Sequence, residues 1–175
     1  MMRSLRYLIP TSAIFLLLFS CTKIEKMPAI PLIEFRTFEV FDSTDILGNT
    51  VRSGRLKFYF QDGDGDLGLQ SPENQGLEVD SVNLFLKLYR KINGEYFEAT
   101  PTDPLKPSGY RIPYMTRLGQ NKLLKGTITV TMLFYGYMPS DTVKYDFYIK
   151  DRAEHLSNTD STCDLILSRD GFCDQ

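Results

Sequence analysis

The clearest signal along the chain is a strict alternation of apolar and polar positions. In Leu56-Lys57-Phe58-Tyr59-Phe60 the residues at 56, 58 and 60 share one face. Val82, Leu84, Leu86 and Leu88 repeat the pattern with Asn83 and Lys87 opposite. Ile128, Val130, Met132 and Phe134 alternate with Thr127, Thr129 and Thr131. Val143, Tyr145, Phe147 and Ile149 alternate with Lys144, Asp146, Tyr148 and Lys150. Successive side chains of a strand point to opposite faces, so each segment is expected as a strand with one face in a core and one in water. Ile33 to Phe41 is apolar but slips phase between Phe35 and Phe38, as a bulged edge strand would. Asn93-Gly94 is a tight-turn pair, which makes Glu95 to Ala99 a short hairpin partner of the preceding strand. No stretch carries a helical period. Short strands separated by turn signals predict an all-β fold, a single antiparallel sandwich of about seven strands.

The first thirty residues follow other rules. Arg3 and Arg6 precede an apolar run from Tyr7 to Phe19. That run is shorter than the about 20 residues a membrane span needs, and it reads as a secretory signal. Leu17-Leu18-Phe19-Ser20-Cys21 resembles the lipobox of bacterial lipoproteins, with Leu18 three before the cysteine and a small residue directly preceding it. Phe19 is bulkier than the usual middle residue. The resemblance implies a diacylglycerol on the Cys21 thiol, cleavage before Cys21 and acylation of the new amino end. Each buried methylene of such chains contributes about 0.8 kcal/mol, so two or three chains anchor stably. A plain secretory signal with a chance cysteine is the alternative. Residues 21–30, with Lys23, Glu25, Lys26 and Pro28, form a flexible tether. Thr22 is not the aspartate that retains such lipoproteins in the inner membrane, so the resemblance implies the outer membrane. Lys23 and Lys26 around a lone Glu25 are unlike an acid-rich surface-export run, which favours the periplasmic face over the cell surface.

Removing residues 1–20 leaves 155 residues, the size of one domain. The expected organisation is a signal peptide over 1–20, the tether over 21–30, a β-sandwich over 31–162 and a C-terminal tail over 163–175. The signal removes two of the 20 basic residues and no acid, which leaves 18 against 22 and a net charge of −4. With no basic block, nucleic acid is excluded as a partner. With Cys21 lipidated, Cys163 and Cys173 remain as an even pair in an oxidising compartment, expected as a disulfide closing the tail. Two unpaired thiols are the alternative. Zinc is disfavoured, because no CxxC pattern occurs and His155 is the sole histidine.

One segment is chemically loaded. Asp62, Asp64 and Asp66 alternate with Gly63 and Gly65, and Gly68 follows. Calcium takes six to eight oxygens, and closely spaced carboxylates on a flexible loop supply them. Counted from Asp62, Asp64 and Asp66 fall at the third and fifth places of an EF-hand loop and Glu73 at the twelfth. The sixth place, however, is Leu67, and a strand precedes the loop. A helix–loop–helix is therefore excluded, while a calcium loop between strands survives. A bare Asp-Gly turn and a salt-bridge cluster stay open beside it. If Leu56–Phe60 is the second strand of an immunoglobulin-like sandwich and Val143–Lys150 the sixth, the loops leaving them share one end. Asp151, a weaker candidate ligand like Glu73, and Asn158 would then approach the acidic loop, with Arg152 a possible counter-charge.

Asp141-Thr142-Val143-Lys144-Tyr145-Asp146-Phe147 looks like the start of the sixth strand of an immunoglobulin-type sandwich, with Phe147 in the place of the core cysteine. The segment Phe60 to Leu69 resembles a recurring stretch of uncharacterised lipoproteins of the Bacteroidetes. So do Arg111-Ile112-Pro113-Tyr114, Gly119-Gln120-Asn121-Lys122 with Leu124-Lys125-Gly126, and Tyr148-Ile149-Lys150-Asp151-Arg152-Ala153. This likeness covers roughly residues 31–160 and implies a small immunoglobulin-like β-sandwich lipoprotein. No nucleophile motif accompanies His155, and no glycine-rich loop opens a helix, so the expectation is not an enzyme. The expected role is a membrane-anchored binding or accessory module of the envelope, with calcium and the Cys21 lipid as its non-protein groups. Its partner would be an envelope protein or a glycan; Tyr89, Tyr96 and Tyr110 are candidates for stacking on sugar rings. A purely structural domain and a glycan-active hydrolase remain as alternatives.

Overall fold

The computed structural model describes residues 27–70, 82–107, 109–115, 122–137 and 141–175. Cys21, the signal segment and Glu73 lie outside them. The alternating segments become strands, several of them over longer spans than the alternation marks. These are β1 (Leu32–Thr44), β2 (Thr50–Asp62), β3 (Leu84–Ile92), β4 (Glu95–Glu98), β5 (Leu124–Phe134) and β6 (Thr142–Ile149). Three short strands follow: β7 (Asp160–Ser161), β8 (Leu165–Ile166) and β9 (Gly171–Asp174). The described residues contain no helix.

Two antiparallel sheets result. One runs β5-β2-β1-β9; the other runs β4-β3-β6-β7, with β8 also paired to β6. Taking β1, β2, β3, β4, β5 and β6 as strands A, B, C, C′, E and F gives the neighbour order E-B-A against C′-C-F of an immunoglobulin-type sandwich. The inward faces of both sheets form one core. Phe58 of β2 meets Phe147 of β6 with ring centroids 5.2 Å apart, and Phe38 of β1 stacks near-parallel on Tyr145 at 6.3 Å. An aromatic pair thus joins strands B and F where antibody domains place their disulfide. The Tyr145 hydroxyl donates to the Leu105 carbonyl at 3.2 Å. In antibody domains a tyrosine two residues before the core cysteine bonds back to nearby upstream backbone; here the acceptor lies in the long β4–β5 connection.

Three expectations are corrected. The phase slip in β1 is real, a register shift between Phe35 and Thr37, but β1 is not an edge there: β9 pairs with Thr37 to Val40. Residues 163–175 are not a separate tail. Leu165 and Leu167 are buried in the core, and Arg52, itself buried, donates to the Leu167 carbonyl and pairs with Asp170. Asn83 does not face water. It is fully buried, its side-chain oxygen accepting the Ile112 N–H at 2.6 Å and its carbonyl accepting the Lys150 N–H.

Candidate metal centre

The register of β2 decides where the first aspartate goes. Leu56, Phe58 and Phe60 point inward, and Asp62 is the next inward position. Its carboxylate is accordingly fully buried. One oxygen, Oδ2, accepts the Leu67 N–H at 2.7 Å, which closes the loop on itself. The other, Oδ1, is buried with no hydrogen-bond partner, and so are Oδ1 of Asp64 and Oδ1 of Asp66. Asp62, Asp64 and Asp66 each bring one oxygen into a group whose members lie within 4.8 Å of one another. Oxygens bound to one calcium at 2.3–2.6 Å can stand at most about 5 Å apart, so the spacing fits a shared ion.

The electrostatics agree. Asp62 is pushed up to about 6, by burial first and then by Asp64 and Asp66, although the Leu67 N–H works against the shift. Asp66 is also raised, by burial and then by the negative charges of Asp151 and Asp64, with Arg152 opposing. Both carboxyls therefore sit where negative charge is under-compensated by the protein itself.

Backbone packing holds the loop. Gly65 has φ +71°, and a Cβ there would fall 1.9 Å from the Lys122 carbonyl oxygen, so no other residue fits. The Leu69 N–H bonds the Ile112 carbonyl and the Tyr114 N–H bonds the Leu69 carbonyl, stitching the loop exit to residues 112–114. Arg152, from the turn after β6, donates to the Leu67 and Gly68 carbonyls at 3.3 and 2.8 Å and lies over the Tyr114 ring. Its guanidinium braces the loop backbone, and its charge opposes the rise of Asp66 without a direct ion pair to a carboxylate among the described residues. The structure thus gathers the acidic loop, Ile112 to Tyr114, Lys122 and Asp151 to Arg152 at one end of the sandwich.

The weaker candidates separate. Asp151 is buried in the adjoining turn, close enough to raise Asp66, but its oxygens are committed to the His155 N–H and ring Nδ1 at 2.8 and 2.9 Å. It does not join the three-aspartate group. Asn158 clamps β1 instead, accepting the Ile33 N–H and donating to the Ile33 carbonyl. His155 is thereby the partner of a buried aspartate, a role its polar surroundings in sequence did not signal. Tyr96 donates to Asp164, and Tyr110 packs against the core. Cys163 and Cys173 come together as a disulfide with Cα atoms 6.5 Å apart.

Comparisons with family models, with curated proteins and with solved structures return no match.

Proposed function

We propose that the protein is a lipid-anchored, non-enzymatic module of the cell envelope whose anchor-side end is closed by a calcium ion on Asp62, Asp64 and Asp66. The observation that carries the ion is the set of three buried carboxylate oxygens without partners. A buried polar group left unpaired costs about 1–3 kcal/mol, more when charged. One divalent cation satisfies all three at once. The donors are all hard oxygens, which suits calcium and not zinc or copper. Backbone carbonyls and water complete such shells. Magnesium, which needs a tighter octahedron, binds less well.

The anchor belongs to the same reading. The lipobox-like Leu17 to Cys21 supplies the lipid; Thr22 in place of an inner-membrane aspartate favours the outer membrane, and Lys23 and Lys26 around a lone Glu25 favour its periplasmic face. Ile46 and Leu47, at the tip of the β1–β2 hairpin, support a partner-binding role. They are 101% and 80% exposed on a turn held by the Asp45 carboxylate, which accepts from Leu47, Asn49 and the Asn49 side chain. The 13 residues of β1 place that tip about 40 Å from the acidic loop. The partner is then an envelope protein or glycan met at the end away from the anchor.

A second reading draws on one observation: burial, with Asp64 and Asp66 close by, raises the Asp62 carboxyl towards neutrality, as in a metal-free turn whose acids hold a proton. Calcium titration calorimetry at pH 7.5 separates the two. The calcium site predicts one ion per chain with Kd of about 10⁻⁴ to 10⁻³ M, weakened by Asp64→Asn and lost in Asp64→Ala. Absence of binding at several millimolar leaves a metal-free turn. For the anchor, a fatty-acid analogue fed to cells should label the wild type and not Cys21→Ser; equal labelling contradicts lipidation.

A further inference from the structure

Gly63 lies between two of the three aspartates and touches a different part of the chain. Its N–H donates to the Pro28 carbonyl at 3.0 Å. A Cβ on it would fall 2.3 Å from the Pro28 carbonyl oxygen and 2.4 Å from that of Met27. The segment that leads into β1 is thus laid directly on the acidic loop, and only a glycine permits the approach. We propose that the ion at Asp62, Asp64 and Asp66 clamps this leading segment, so that calcium fixes the sandwich relative to its membrane tether. This rests on the calcium reading of the loop.

The coupling is mechanical and short. Asp62 is fully buried with one oxygen unpartnered, and Asp64 follows Gly63 immediately. Without a cation, repulsion among the carboxylates is relieved by opening the loop, and the Gly63 N–H moves with its neighbours away from Pro28. With the cation, the backbone on both sides of Gly63 is drawn to one point and the N–H stays aimed at the Pro28 carbonyl. Linkage makes the effect reciprocal: whatever factor calcium adds to docking of Met27–Pro28, docking adds to calcium affinity. With Cys21 carrying the lipid, five residues separate it from docked Met27, so the six steps reach at most about 20 Å. The clamp would therefore hold the acidic end of the sandwich close to the membrane surface.

Lys26 immediately precedes the docked pair and is a trypsin site. Cleavage after Lys26 requires Met27 and Pro28 to leave the loop and enter the protease cleft. The experiment follows that cut by mass spectrometry on the purified full-length protein, in chelator and in 5 mM calcium, with calcium binding measured in parallel by calorimetry. The expected result is slowing by at least about fivefold in calcium, the lower end of ordinary coupling factors. Gly63→Ala should abolish the slowing and weaken calcium by that same factor. Pro28→Gly, which loosens the leading segment without entering the loop, should reduce both in part and guards against a misfolded Gly63→Ala. Calcium binding with an unchanged cut at Lys26 overturns the clamp and leaves the site standing. Protection that survives both substitutions also overturns it. A protein that binds no calcium removes the site and the clamp together.

Discussion

Asp62 occupies a position that the alternation of β2 reserves for an apolar side chain, and its buried carboxyl is consequently the most strained ionisation at the candidate site. Its ordinary value is 3.8, and in the fold it rises to about 6. In the metal-free protein the native state then holds more protons than the unfolded chain between these values. The contribution of Asp62 to stability is present in full below pH about 4 and is lost as pH rises through about 6, an effect of roughly 2–3 kcal/mol at most. Denaturant melts in chelator should therefore show this contribution falling from pH 4.5 to 7. In calcium it should reverse, because the ion needs the carboxylate ionised. A chelator curve that rises across that window would contradict the assignment. Extending the inward positions of β2 from Phe60 by one step makes the burial of Asp62 legible in sequence. The orphaned oxygens were not, since they depend on which N–H groups the fold leaves within reach. Asn83 shows the opposite limit. Alternation assigned it to water, but backbone groups from residues 112 and 150 converge on it and make it a buried bracket.

At the scale of elements, the long strands announced themselves and the short ones did not. β7 and β8 have two residues each and β9 four, too few to display a period. Only the Cys163 and Cys173 pairing hinted that the end of the chain is ordered. The structure adds the reason: Leu165 and Leu167 are buried, and Arg52 ties the turn at 167–170 to β2. The bridge then acts mainly on β9, holding it against Thr37 to Val40 of β1. With the two cysteines separated by 10 in sequence, closure contributes roughly 2–3 kcal/mol at most. The oxidised protein should show no alkylatable thiol at Cys163 or Cys173. The double Cys163→Ser, Cys173→Ser variant should lose up to that amount while staying folded, with faster amide exchange confined to β9. Two free thiols in the native protein, or global unfolding of the variant, would contradict this description.

For the whole molecule, sheet order explains why distant segments meet. Strands β2 and β6 face each other across the core through Phe58 and Phe147, so the loops that leave them emerge at the same end. That end collects the acidic loop, the Arg152 turn and the leading segment at Pro28; the opposite end presents Ile46 and Leu47. The two-layer fold was legible because alternation and turn chemistry are local; the shared end followed only from taking Leu56–Phe60 and Val143–Lys150 as the second and sixth strands of an immunoglobulin-like sandwich. Which weaker ligands would join was not, because the commitment of Asp151 to His155 is settled by the turn's own geometry. The central claim is that a cation completes this end, and a thermal melt of the purified protein at pH 7.5, in chelator and in calcium, tests it most directly. A ligand bound only by the folded state adds about 2.7 kcal/mol at a hundredfold excess over Kd and less at the few-fold excess that millimolar calcium provides. The wild type should therefore melt a few degrees higher in several millimolar calcium, with Asp64→Ala unresponsive and magnesium a weaker substitute. Coincident wild-type curves in chelator and calcium would contradict the account and reduce the acidic loop to a turn.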